Sequence, residues 1–224
     1  MLQVTNLRKV FNAGDAEVIA VDNVSMHVGQ GEFVSIVGRS GSGKTTLMSL
    51  LGSLEKPTSG TIEVDGQSLT TLSDHALNRY RGQKIGFVFQ SYNLVPNLTA
   101  LENVMLPMEP THIPRAERKN RAQSLLNQVG LTGNKQRRRP GRLSGGEQQR
   151  VAIARSLANK PAVILADEPT GNLDSATSTM IITLLRDLSR SEHTTIIVVT
   201  HDNSLAMQTD RMFRLQDGQL QEER

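Results

Sequence analysis

The chain contains no cysteine and no tryptophan, aromatic residues make up 3% of it, and its formal net charge is only +3. Without cysteine there are no disulfides, no thiolate zinc site and no cysteine nucleophile, and a reducing compartment is permitted. Scarce aromatics require an aliphatic core and remove most of the support for single-stranded nucleic-acid binding on stacked platforms. So small a positive excess gives no argument for a nucleic-acid partner, and none is expected. Long apolar runs are also missing: stretches such as Ile196 to Val199 fall far below the ~18 residues of a membrane span. Met1-Leu2-Gln3-Val4 has no basic stretch followed by an apolar one, so no signal peptide is read. The expectation is a soluble, cytoplasmic protein.

What is present is a chain of 224 residues, 37% hydrophobic and 21% charged. That composition supports a packed core, and the length fits one domain over 1–224 carrying a small inserted lobe. Apolar alternation at Leu2 and Val4, at Val24, Met26 and Val28, and over Thr61 to Gly66 predicts half-buried antiparallel strands. Phe33 to Val37, Ala162 to Ala166 and Thr195 to Thr200 are nearly continuous apolar runs, as expected of parallel strands covered on both faces. Between them, about 92–145 carries helical periodicity (Ala122, Leu125, Leu126, Val129) interrupted by Pro96, Pro107, Pro110 and Pro114. This predicts a helical subdomain inserted into an α/β core. Lys135, Arg137, Arg138, Arg139 and Arg142 form a local basic run, either a solvated loop face or a contact for an anionic partner or lipid headgroups. Met48, Met180 and Met207 are expected to fill core space.

Directly after the strand Phe33 to Val37 comes Gly38-Arg39-Ser40-Gly41-Ser42-Gly43-Lys44-Thr45, then Thr46-Leu47-Met48-Ser49-Leu50-Leu51 with helical character. Strand, glycine-rich loop and helix in this order cradle phosphates. Glycines let backbone N–H groups curl around the anion, the helix N-terminus adds positive potential, Lys44 can reach β and γ phosphates, and the Thr45 hydroxyl can ligate Mg²⁺. Val163 to Glu168 is a buried strand ending in two carboxylates. A buried carboxylate needs a cation or donors to stay charged, which Mg²⁺ would supply to Asp167. Glu168 is then available to accept a hydrogen bond from an attacking water.

Leu143-Ser144-Gly145-Gly146-Glu147-Gln148-Gln149-Arg150 resembles the signature of the ATP-binding cassette (ABC) ATPases, and over essentially its whole length the chain resembles one cassette. Small residues there open a helix with Val151, Ala154, Leu157 and Ala158 on one side, and its N-terminus can meet a phosphate. The resemblance implies a P-loop NTPase core with a parallel sheet, an N-terminal antiparallel β subdomain and the helical insertion. It implies that Phe11 stacks on adenine, against the alternative of a core phenylalanine. Gln90, after Ile85 to Phe89, would reach Mg²⁺ and the attacking water. Asp174, in Gly171-Asn172-Leu173-Asp174, would cross to the opposite subunit, where the local alternative is an ordinary helix cap. His201 would contact the γ-phosphate. Thr45, Gln90 and Asp167, the last through water, would serve the metal. His27, His75, His112 and His193 match no motif and are expected at the surface or in packing.

Within the cassettes, Glu32 to Gly38, Gly86 to Val104 and Ala166 to Asp174 are most similar to the ATPases of lipoprotein-release and macrolide-export systems. Arg39 occupies a variable loop position. The resemblance implies an ATPase that dimerises around ATP, with residues Leu143 to Glu147 completing the site of a second copy, and that works an integral membrane permease from the inner face of the membrane. Two alternatives accompany it: a cassette driving a non-transporting membrane partner in signalling or cell-wall control, and a nucleic-acid-associated cassette. The latter is disfavoured because no heptads separate Lys44 from Asp167. The transported substrate is not legible, since its selection lies on the permease.

Overall fold

The computed structural model describes residues 1–13 and 16–223. The chain opens with a long hairpin, β1 (Leu2–Ala13) and β2 (Ala16–Val28), then β3 (Phe33–Val37), α1 (Lys44–Leu51), β4 (Ser59–Val64), β5 (Gln67–Ser68), α2 (Asp74–Lys84) and β6 (Ile85–Val88). The insertion follows as α3 (Ala100–Met105) and α4 (Arg115–Gln128) with three short 3-10 turns, leading into α5 (Gly145–Ser156). The rest is β7 (Val163–Asp167), α6 (Ser175–Glu192), β8 (Thr195–Thr200), α7 (Asn203–Ala206), β9 (Arg211–Gln216) and β10 (Gln219–Glu222).

Two sheets result. The antiparallel one has the order β2-β1-β4-β5, and the second runs β10-β9-β3-β8-β7-β6, parallel except for the β9–β10 hairpin. The continuous apolar runs follow from burial on both sides. In β8, Ile197 and Val199 join the core beneath the antiparallel sheet together with Leu2, Val4, Ile62 and Leu47. Ile196 and Val198 join a second core with Val151 and Ile153 of α5 and Ile181 and Leu185 of α6. That helical core also takes Val104 of α3 and Ala122, Leu125 and Leu126 of α4, so the insertion buries its apolar stripe against the signature helix.

Met48 is core, but Met180 and Met207 are not: they are 54% and 59% exposed. Each lies on the solvent side of a segment whose inward face is already taken by Ile181 and Ile182, or by Leu205 and Ala206. The four unassigned histidines, His27, His75, His112 and His193, are all exposed.

Candidate active site

The order β3-β8-β7-β6 places four segments side by side at the carboxyl ends of parallel strands, where open α/β sheets hold their ligands. β3 delivers the glycine-rich loop, β8 delivers His201, β7 delivers Asp167 and Glu168, and β6 delivers Gln90 two residues after its end.

The loop is built on glycines where a side chain would collide. At Gly43, which has φ +101, a Cβ would stand 2.1 Å from the Ala20 carbonyl oxygen of β2. At Gly38 it would stand 2.4 Å from the carbonyl oxygen of Leu215 in β9. Helix α1 begins at Lys44 with no side-chain cap and no acid in its first turn, so its amide end is open to an anion. Lys44 Nζ donates to the carbonyls of Gly38 and Arg39, both at 2.8 Å. The Ser42 hydroxyl is buried without a hydrogen-bond partner, while Arg39, Ser40, Gly41 and Thr45 are exposed and Thr46 half-buried. A donor-rich, acid-free loop with a lysine folded over it fits a phosphate chain.

Glu168 sits at φ +43, an uncommon conformation for a non-glycine residue that costs roughly 1–2 kcal/mol. Its backbone is fixed by Glu168 N donating to Val199 O and Gly171 N donating to Glu168 O. The carboxylate is fixed as well. Oε1 accepts from the His201 backbone N–H at 3.0 Å and lies 2.6 Å from His201 Nδ1, and Oε2 accepts from Thr200 Oγ1 at 3.1 Å. Beside it, burial and the charge of Glu168 push the Asp167 carboxyl above the usual range, opposed only in part by Lys44. A cation would relieve that strain. The described residues hold no cluster of three His, Cys, Asp or Glu. A carboxylate whose charge is disfavoured, beside a loop that fits phosphates, suits Mg²⁺, which binds through one or two carboxylates and the substrate's own phosphates.

Gln90 packs on the next loop: a Cβ at Gly171 would stand 2.6 Å from Gln90 Nε2, and Asn172 Nδ2 donates to Gln90 O at 3.0 Å. Asp174 caps α6, accepting from Thr177 N at 2.9 Å and Thr177 Oγ1 at 2.7 Å, and these bonds hold its carboxyl below the usual range. Phe11 is 38% exposed, which removes the core alternative, and Lys9 Nζ lies 4.9 Å from its ring centroid. Its partner across the hairpin is Val18; Val18 and Ile19 are also exposed, and the next residue, Ala20, touches the phosphate loop.

The signature segment opens α5. Ser144 caps α5 in a reciprocal box with Glu147, and Lys135 Nζ holds Glu147 Oε1 at 2.7 Å. Leu143 is buried. Gly145 is crowded by Tyr92 and Leu173, and Gly146 by Thr177. Among the described residues no hydrogen bond joins Leu143 to Glu147 with residues 38–46. Of the basic run, Lys135 thus has a structural task, while Arg137, Arg138, Arg139 and Arg142 are exposed.

Sequence reasoning missed Thr200, wholly buried yet bonded to Glu168, and the exposed pair Val18 and Ile19. A polar residue closing the buried run Thr195 to Thr200 was the available signal for the first. The second needs the hairpin register.

The family described as ABC transporter matches residues 21–171. An "Uncharacterized ABC transporter ATP-binding protein" of Thermotoga maritima is 48% identical over 221 residues, covering 99% of this chain and 94% of its own. The "Lipoprotein-releasing system ATP-binding protein LolD" of Syntrophotalea carbinolica is 48% identical over 220 residues, covering 98% of this chain and 96% of its own. The "Macrolide export ATP-binding/permease protein MacB" of Rhodopirellula baltica is 45% identical over 225 residues, covering all of this chain but 33% of that longer protein. A dimeric structure of the cassette MJ0796 in a post-hydrolysis state, bound to ADP and Pi, matches with a TM-score of 0.91 at 44% identity, covering 100% of this chain and 98% of that one. MJ0796 belongs to Methanocaldococcus jannaschii.

Proposed function

The chain belongs to the ABC transporter family and is an ATP-hydrolysing subunit of that kind, and from this premise we propose that two copies close around ATP to drive a separate membrane permease. The permease is of the export or extraction type, and the chain works at the cytoplasmic face of the membrane. No described helix is long and apolar enough to cross a membrane. The single observation that carries the reading is the convergence of the Lys44 loop, Asp167, Glu168 with His201, and Gln90 at neighbouring strand ends.

In the proposed chemistry, residues 38–46 wrap the phosphates and Phe11 stacks on the adenine. Thr45, Gln90 and Asp167 would hold Mg²⁺, Asp167 through water. When bound, the ion neutralises phosphate charge. Glu168 Oε1 accepts from the His201 amide and lies against its ring nitrogen, and Oε2 accepts from Thr200, so of roughly four lone-pair positions on a carboxylate one remains for the attacking water. Thr200 and His201 fix that position before substrate arrives. Lys44 and His201 take up charge that develops on the γ-phosphate, which is how positioned groups accelerate phosphoryl transfer. Ser144 accepts from Glu147 N with a lone pair and keeps its own proton to donate. By the family resemblance, Leu143 to Glu147 serve the phosphate held by the other copy, and Asp174 fixes the loop that crosses between copies.

The segment after Gln90 leads into the helical subdomain, about 92–145, which hands the motion on. The test is purification of the native complex from detergent-solubilised membrane. A multi-span subunit that raises the ATPase rate of the chain supports the reading. A complex with no membrane protein overturns it, and a membrane partner that moves no substrate selects the signalling or cell-wall role.

A further inference from the structure

The fold contains two hairpin turns of the same sequence and nearly the same backbone. Asp65–Gly66 joins β4 to β5 with φ of +51° and +76°, and Asp217–Gly218 joins β9 to β10 with +48° and +78°. Both demand left-handed residues, as tight hairpins do. Their surroundings differ. Gly66 is exposed, and a Cβ added there meets nothing within 4 Å. Gly218 is buried, and a Cβ there would stand 3.3 Å from both the Ala20 carbonyl oxygen and the Asp22 amide nitrogen.

Gly218 is also bonded on both sides. Its N–H donates to the carbonyl of Ser42 at 3.2 Å, and its carbonyl accepts from Asp22 N at 2.8 Å. Ser42 is the residue before Gly43, the last of the phosphate loop. A trans peptide is planar, with its C=O and N–H pointing in opposite directions. Holding the Ser42 carbonyl toward Gly218 therefore aims the Gly43 N–H away from the hairpin, into the loop. The other end of the loop is set by the same strand, where Leu215 O packs against Gly38.

We propose that the Asp217–Gly218 turn is a positioning element for nucleotide binding, with Gly218 clamping the Ser42–Gly43 peptide so that its N–H faces the phosphates. The turn touches no substrate; it acts through the loop, and the inference rests on the phosphate-loop reading above. It explains why one Asp-Gly turn is buried against β2 while its twin stands in solvent.

The twin supplies the control. A β-branched residue strains either turn alike, but only position 218 transmits that strain to the loop. Calorimetric titration of the full chain with ATP, and separately with ADP, in the presence of magnesium, would compare Gly218→Val, Gly218→Ala, Gly66→Val and Lys44→Ala, each with its melting temperature. Loss of one well-aimed donor to a charged ligand weakens binding by about tenfold, so Gly218→Val should weaken both nucleotides to about that degree and Gly218→Ala by about threefold. Gly66→Val should stay within about twofold at a comparable loss of melting temperature. Where valine at 218 prevents folding, the alanine variant is read in the same way. A folded Gly218 variant that binds ATP and ADP like the unaltered chain overturns the proposal, as does equal weakening by Gly66→Val. Unchanged binding by Lys44→Ala would instead bring down the phosphate-loop reading itself.

Discussion

Helices α1 and α5 both open on glycine-rich turns, yet their amide ends are satisfied in opposite ways. At α1 the cap is Gly43 with no side-chain bond, the first residue is Lys44, and no acid stands in the first turn. At α5 the cap is Ser144, Glu147 closes the reciprocal box, and Lys135 pairs with that glutamate. A helix N-terminus attracts anions through unpaired N–H groups and its dipole. The first end therefore offers its own chain's amides and lysine to an anion. The second has met part of its demand locally and carries a negative charge of its own, so it suits a phosphate only when cations come from elsewhere. In the dimer proposed above, the Lys44 loop of a second copy would supply them.

The sharpest way to separate binding from chemistry in this comparison is Glu168→Gln, which keeps shape and removes the acceptor charge. Turnover should fall by ~10²-fold or more, the scale of losing a positioned base, while ATP affinity holds and an ATP-bound dimer accumulates on size-exclusion chromatography. Turnover near that of the unaltered chain would remove Glu168 from its role. Next, Lys44→Ala takes the cation from α1 and should weaken ATP by roughly thirtyfold, as expected for a charged hydrogen bond. Calorimetry that returns an unchanged constant would make the two helix ends equivalent after all.

Stability gives smaller effects. Ser144→Ala removes a cap and should cost about 1 kcal/mol, seen as a melting temperature about 2–4 °C lower. Asp167→Asn acts with the opposite sign. Because burial and Glu168 raise the Asp167 carboxyl, the folded chain holds that proton more tightly than the unfolded one does. The resulting stability is present below the unfolded carboxylate value and is lost as pH rises through the raised folded one. At neutral pH the ionised group is a burden, so Asp167→Asn should melt a degree or two higher in the nucleotide-free chain, roughly the yield of relieving one partly solvated charge. A lower melting temperature at both pH 5 and pH 8 would contradict this.

Much of the site was legible because its chemistry is local in sequence. The stretch from Gly38 to Thr45 needs only a preceding strand and a following helix, and Asp167 and Glu168 need only a buried run before them. The parallel strands announced themselves by apolar runs covered on both faces. What escaped depends on register and on long-range contact. Helix α2 buries only Leu77 and Tyr80, too little for a periodic signal. The hairpin β9–β10 alternates weakly, and its turn gains meaning only from Ser42, far away in sequence. Val18 looks like a core residue until the hairpin register sets it opposite Phe11, where both are exposed. Met180 and Met207 failed as core filler for the same reason: hydrophobicity alone does not say which side of a helix faces in.

The central claim is that a phosphate held by the Lys44 loop of one copy is completed by Ser144 of another. The most direct test is Ser144→Arg in the Glu168→Gln background, measuring ATP binding by calorimetry and assembly by size-exclusion chromatography. ATP affinity should stay close to that of Glu168→Gln alone, because the α1 end is untouched, while the ATP-dependent dimer is lost. A dimer that forms as readily with arginine at position 144, and full ATPase activity in the Ser144→Arg chain that retains Glu168, would contradict it.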